Sequence, residues 1–314
     1  MIIVGGEALV DLVPVAAAAA GELSPLLPRL GGGPFNVAIA AGRLGAPTAF
    51  VSRISTDHFG DAQLDRLRLS NVDTSLVRRG PEPTALAVVG IAADGSARYS
   101  FHTDGTADRL FRAPSRLPDG TRIVSLGTLS LVLEPGASEY ESLLRKASAA
   151  GMLTVLDPNI RPQLITDPDS YRARFASWLP DIAVLKVSVE DARWLADDAT
   201  GELSSIMRGW RSAGASTVVW TAGDAGLGVL TGDGERVEVP AASAKVVDTI
   251  GAGDTVHGAL LAWLHRAGVH TSAQVSALSA DRWADALRYA AAAAAVTVSR
   301  VGAEPPFAAE LGKC

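Results

Sequence analysis

Three short runs in the second half of the chain, Leu153-Thr154-Val155-Leu156, Ile182-Ala183-Val184-Leu185 and Thr217-Val218-Val219-Trp220, are apolar almost throughout instead of alternating with polar residues. A strand reads this way when both faces of its sheet are covered, which is the usual condition of a parallel sheet. Parallel neighbours need crossovers, and helical patterns such as Ser188 to Ala196 and Leu203 to Ala213 stand between the runs. The pattern predicts an α/β fold: a mostly parallel central sheet between two layers of helices. At 314 residues and 48% hydrophobic content the chain can bury such a core. Residues 84–103 break the rhythm: Leu86 to Ile91, a turn at Asp94-Gly95, then Arg98 to His102, with no helix between. That is a hairpin, and with Leu12 to Leu30 it predicts a small sheet beside the main one.

Composition removes several classes of function. The formal charge is −6 and no Lys/Arg cluster occurs, so neither nucleic acid nor a membrane surface is an expected partner. The one cysteine, Cys314, allows no internal disulfide and no thiolate metal site, in keeping with a reducing cytoplasm. Met1 runs straight into the strand pattern Ile2-Ile3-Val4 without a basic leader, so no export signal is expected. The alanine runs Ala16 to Ala20 and Ala290 to Ala295 are too short to span a membrane; the second lies in a helical pattern from Arg282 to Ser299. The five histidines show neither metal-ligand spacing nor a Ser-His-Asp order, and His257, one turn after Asp254, reads as packing or an exposed helix residue. No P-loop and no dinucleotide fingerprint is present.

The chemistry gathers at Asp248-Thr249-Ile250-Gly251-Ala252-Gly253-Asp254, which opens into the helical stretch Thr255 to Ala267. Small residues there let N–H groups close on a ligand, and a helix start aims its positive dipole end at the same point, so the run binds an anion. Asp254 puts a carboxylate at the rim of that site, where a general base for an attacking hydroxyl has to stand. Taken alone, the run reads equally as a tight turn with Asp254 as helix cap. Near the N-terminus, Gly31, Gly32 and Gly33 permit close backbone approach, and Asn36 at the start of the helical pattern Phe35 to Leu44 offers a donor and an acceptor to hydroxyls. Asp11 adds a carboxylate just beyond the first strand. Arg161 follows the strand Leu153 to Leu156 at the edge where open α/β sheets bind ligands, and Lys186 ends the next strand; each is either a phosphate contact or a surface ion pair. Thr221, Gly223 and Gly226 follow the strand ending at Trp220 and read as a phosphate-facing loop or as a plain hairpin turn into Leu227 to Leu230.

The seven-residue run resembles the C-terminal signature of the ribokinase-like, PfkB-type carbohydrate kinases, and Gly31-Gly32-Gly33-Pro34-Phe35-Asn36-Val37-Ala38 resembles their N-terminal signature. Landmarks recur from Gly6 to Gly302, so the resemblance covers the chain and is nearest to the bacterial fructokinases, with the 2-keto-3-deoxygluconate kinases next. It implies one ribokinase-like domain over residues 1–314, a three-layer sandwich with a small β lid formed by about 12–30 and 84–112. It implies ATP and Mg²⁺ as cofactors, K⁺ as a further candidate, a small sugar as substrate, cytoplasmic work and, because the lid is apolar and unpartnered, a homodimer through it. By the same resemblance Asp254 is the base, the Gly251, Ala252 and Gly253 amides form the anion hole, and Asp11, Gly32, Gly33, Asn36 and Arg161 meet the sugar or its phosphate. Lys186, Thr221, Gly223, Gly226, Thr249, Gly251 and Gly253 meet the nucleotide.

One departure stands out: where many members of the family have Asn-x-x-Glu, this chain reads Ser188-Val189-Glu190-Asp191. Asp191 is the stand-in for the glutamate that reaches Mg²⁺ through water, with Glu190 as the alternative. Ser299 to Ala303 resembles a loop that borders a monovalent cation together with Asp248 and Ile250. Fructose is the expected acceptor. A 2-keto-3-deoxygluconate kinase, which would need a cation such as Arg98, Arg109 or Arg112 near the lid, and a catalytically silent binding protein are the alternatives.

Overall fold

A computed structural model describes residues 1–15, 23–91 and 97–312. In chain order the strands are β1 (Ile2–Gly5), β2 (Leu9–Pro14), β3 (Leu26–Gly31), β4 (Thr48–Ser55), β5 (Val72–Asp73), β6 (Val77–Gly80), β7 (Ala85–Ile91), β8 (Ala97–His102), β9 (Ile123–Gly127), β10 (Leu153–Asp157), β11 (Val184–Ser188), β12 (Thr217–Thr221), β13 (Leu227–Leu230) and β14 (Arg236–Val239). The α-helices are α1 (Gly33–Arg43), α2 (His58–Leu69), α3 (Gly136–Ala149), α4 (Pro168–Trp178), α5 (Val189–Leu195), α6 (Leu203–Ser212), α7 (Ala252–Arg266), α8 (Ser272–Ser276) and α9 (Ala280–Val298). The main sheet runs β14-β13-β12-β11-β10-β9-β1-β4-β5, with β6 also paired to β4. Its strands are parallel from β12 to β5, and β13 and β14 extend one edge as an antiparallel meander.

The apolar runs arise because this sheet has a core on each face. Along β1, Ile2 and Val4 pack into one hydrophobic cluster and Ile3 into the other; along β10, Leu153 and Val155 face one way and Leu156 the other. The period of two is present, but both phases are apolar. One cluster gathers Phe35 of α1 with Leu260, Trp283 and Leu287 of α7 and α9; the other gathers Tyr140, Phe175, Trp178 and Trp210 of α3, α4 and α6. The predicted strand Ile182 to Leu185 is displaced: Ile182 closes a 3₁₀ turn, and the strand is Val184–Ser188.

The second sheet has the order β3-β2-β7-β8, with β2 and β7 parallel and the outer pairs antiparallel. The hairpin β7–β8 forms as expected, its turn at Asp94-Gly95 lying outside the described residues, as do the Ala16 to Ala20 run and Cys314. The sheet begins at Leu9, three residues before the expected Leu12, which places Asp11 inside β2. Residues 103–112 lie outside its strands; Phe111 packs in the main core and stacks on Tyr140 with ring centroids 4.0 Å apart.

Candidate active site

The parallel strands deliver their carboxyl ends to one edge, the place where open α/β sheets bind ligands. Glu7 follows β1, Thr128 follows β9, Asn159 and Arg161 follow β10, and Lys186 comes from β11. The second sheet adds Asp11, Tyr99 and Phe101, and the start of α7 adds Gly251, Gly253 and Asp254; together these line a cavity of about 510 Å³. A cavity of about 590 Å³ elsewhere, lined by Arg122, Lys146 and His270, holds no such carboxylate at a helix start. Chemistry and not size therefore identifies the site.

Two glycines shape it. At Gly251, φ is +75°, and a Cβ would come within 2.5 Å of Ala303 Cβ, so this left-handed position that starts α7 excludes other residues. No side chain caps that helix, which leaves its positive end to the cavity. At Gly32, φ is +110°, and a Cβ would lie 2.6 Å from the Glu7 carbonyl oxygen.

Asp254 is the third residue of α7 and makes no capping bond, so the capping reading is excluded. Its Oδ2 accepts from Asn36 Nδ2 at 2.9 Å. Burial raises its carboxyl from the ordinary 3.8 to about 6, against the Asn36 bond and Lys186, while Asp157 adds to the rise. Asn36 thus spends a donor on the carboxylate as well as facing the cavity. Asp11 is raised to about 6, first by burial, with Arg161 opposing and Asp254 adding.

Lys186 is neither free nor at the surface. Its Nζ donates to Asp157 Oδ2 at 2.7 Å, and the two side chains are 6% and 4% exposed. Burial opposes both charges, yet their attraction prevails: the Asp157 carboxyl is held below, and the Lys186 ammonium above, its ordinary value. The same Nζ is 3.4 Å from the point where a Gly253 Cβ would stand, so the ammonium adjoins the positive end of α7. Arg161 is held by Nη1 donating to the Asn159 carbonyl and side-chain oxygens and to the Ile160 carbonyl.

Several other expected residues lie outside the cavity. Thr221, Gly223 and Gly226 form the turn that leads β12 into antiparallel β13, the hairpin alternative. Glu190 is exposed on α5, whereas Asp191 turns inward and accepts from Ile160 N at 3.1 Å; burial raises its carboxyl. Ser188 caps α5 through the Asp191 N–H. Asp248 accepts from Ile250 N at 3.0 Å and Gly302 N at 2.8 Å, tying two loops together. Thr249 and Ile250 line the cavity.

Sequence reasoning passed over Glu7 and Asp157. Glu7 is buried, accepts from the N–H groups of Gly33 and Ser130 at 3.2 Å, and also accepts from the hydroxyls of Thr128 and Ser130. Asp157 carried the same signal as Arg161, a charged residue where an apolar strand ends. Among the described residues no group of three or more His, Cys, Asp or Glu could hold a metal ion, and no helix is long and apolar enough to cross a membrane.

Residues 1–309 match the pfkB family of carbohydrate kinases. A fructokinase of Rhizobium leguminosarum bv. trifolii is 38% identical over 280 residues, covering 88% of this chain and 84% of the relative. Fructokinase-2 of Zea mays is 31% identical over 306 residues, covering 96% of this chain and 89% of the relative. The crystal structure of a fructokinase with bound ATP from Xylella fastidiosa overlays with a TM-score of 0.87 at 28% identity, over 99% of this chain and 97% of that one. With both signatures at one cavity and the match spanning nearly its full length, this chain belongs to the pfkB family of carbohydrate kinases.

Proposed function

We propose that this carbohydrate kinase transfers the γ-phosphoryl group of ATP to a primary hydroxyl of fructose, with Asp254 as general base. The observation that carries the reading is a partly buried carboxylate on the first turn of an uncapped helix, in one cavity with Lys186 and Arg161. A carboxyl near 6 is ionised at neutral pH and still basic enough to take a hydroxyl proton. The amides of Gly251 and Gly253 stabilise charge developing on the transferred group, with the Ala252 N–H joining them only by releasing the Thr249 carbonyl it meets at 3.3 Å, and Arg161 and Lys186 offset the phosphates. Asp11, the Asn36 amide and the backbone at Gly32 and Gly33 hold the sugar hydroxyls. The fructokinase relatives and the ATP in the Xylella fastidiosa enzyme support the acceptor and the donor.

In this reading Mg²⁺ comes with the nucleotide, and Asp191 is the inward carboxylate that would reach it through water. Bound there, Mg²⁺ supplies charge neutralisation on the phosphates. K⁺ would sit among carbonyl oxygens of the two loops that Asp248 ties. Thr221, Gly223, Gly226 and Thr249 flank the nucleotide in this reading.

The second sheet acts as a lid belonging to a single domain of residues 1–314. The exposed Leu26, Leu27 and Tyr99 on its strands, with Val15 and Leu23 in the adjoining loop, favour a homodimer through the lid; the single cysteine supports a cytoplasmic setting. Light scattering at micromolar concentration should give twice the chain mass; a fully active monomer would remove the dimer.

A coupled ADP-release assay across ketoses, aldoses, nucleosides and sugar acids tests the acceptor, with fructose expected to lead. A tenfold preference for 2-keto-3-deoxygluconate would overturn it. Of the cations that rival would need, Arg109 is engaged by Asp104 and the Glu134 carbonyl and Arg112 by Glu139, and the Arg98 side chain lies outside the described residues.

A further inference from the structure

Next to Asp254 is a second cavity of only about 10 Å³, lined by Ser125, Thr128, Asp157, Asp254 and His257 among others. About that much room accommodates one water molecule, provided several polar atoms meet it. Two of these lining residues each carry a buried polar atom without a hydrogen-bond partner, Asp157 Oδ1 and His257 Nδ1. The remaining polar atoms of the two side chains are engaged. Asp157 Oδ2 takes the Lys186 ammonium at 2.7 Å, and His257 Nε2 is 2.9 Å from Ser125 Oγ. His257 Nδ1 is 3.5 Å from Asp157 Oδ2, too far for a good direct bond. Both residues are almost fully buried, at 3% and 2% exposure, where unpaired polar atoms are costly.

We propose that this cavity holds one water molecule and that His257, by holding it, is a positioning residue for Asp254. The water accepts from the His257 Nδ1–H, donates one proton to Asp157 Oδ1 and donates the other to the Asp254 carboxylate. In this tautomer the Ser125 hydroxyl donates to Nε2, so every atom that was unpaired acquires a partner. The bridge couples Asp254 to the buried Lys186–Asp157 pair and, as a donor to the ionised form, keeps the carboxylate available at lower pH. The charged groups facing Asp254 are Asp157 from β10, Arg161 from the loop after it, Lys186 from β11 and Asp11 from β2. Those facing His257 are Asp157 and the uncharged Ser125.

The inference rests on Asp254 acting as base, and its test separates the two ideas. A high-resolution crystal structure of the unmodified protein should show an ordered water within about 3.2 Å of Asp157 Oδ1 and His257 Nδ1; a dry cavity overturns the proposal whatever the enzyme's substrate. His257→Leu should lose that water and shift the acidic limb of the kcat/KM profile upward by about one pH unit, a tenfold change in proton affinity, with KM for ATP unchanged. His257→Asn, whose amide can donate from near the Nδ1 position, should keep the water and restore the profile. A folded His257→Leu variant with an unmoved pH profile would show a purely structural histidine and overturn the proposal. Should the leucine variant fail to fold, the unmodified crystal and the asparagine variant decide.

Discussion

Replacing Asp254 by asparagine should raise stability and abolish most of the turnover. In the folded chain the carboxyl sits near 6 instead of the ordinary 3.8, about two units, and each unit is about 1.4 kcal/mol. Above pH 6 the ionised side chain therefore costs the fold up to about 3 kcal/mol. Its contact with the cavity argues for less, about 1–2 kcal/mol. Asparagine keeps the shape, offers its amide oxygen to Asn36 Nδ2 and carries no charge; because Gly251 and not Asp254 starts the helix, no cap is lost. The sign with pH follows from a raised carboxyl: the cost is absent below 3.8, grows between 3.8 and about 6 and is complete above that. The variant should thus melt a few degrees higher than the unmodified protein at pH 8 and at the same temperature below pH 4. Loss of a general base should lower kcat by about 10²–10⁴. Differential scanning calorimetry at both pH values and single-sugar kinetics check the two halves. Turnover within a few-fold of the unmodified enzyme would refute the catalytic role, and a lower melting temperature at pH 8 would refute the electrostatic reasoning.

The acid limb of the activity profile should lie at or below about pH 6, since burial raises both Asp254 and Asp11 to about 6 and the proposed water would lower Asp254 from there; activity flat from about pH 4 to 8 would contradict this. Asp11→Ala should raise KM for the sugar far more than KM for ATP, by an amount on the order of the 1.5–3 kcal/mol of a hydrogen bond to a charged group; equal changes in both constants would remove Asp11 from the sugar site. Lys186→Met leaves Asp157 buried without its cation and should cost about 3–5 kcal/mol in urea unfolding, most of it recovered when Asp157→Asn is added. A double variant no more stable than the single one would mean that the pair is not the source of the loss.

Much was legible locally. The runs at Leu153, Ile182 and Thr217 announced a covered parallel sheet because burial on both faces leaves its mark in every consecutive residue. Asp248 to Asp254 announced an anion site with a base because backbone shape, helix start and carboxylate are encoded within seven residues. The displacement of the second run by two residues shows the limit of such reading: Ile182 is as apolar as its neighbours, but a preceding 3₁₀ turn claims it. What no local pattern contains is which polar groups meet. Asn36 reaches Asp254 across 218 positions, Lys186 finds Asp157 on the neighbouring strand, and His257 is buried against Ser125 on β9. Those meetings depend on the order β11-β10-β9-β1 and on α7 packing over it. A histidine or a glutamate reads the same in sequence whether it faces water or is shut into the core, and only the folded arrangement, which sets each group's solvation and its partners, decides its chemistry.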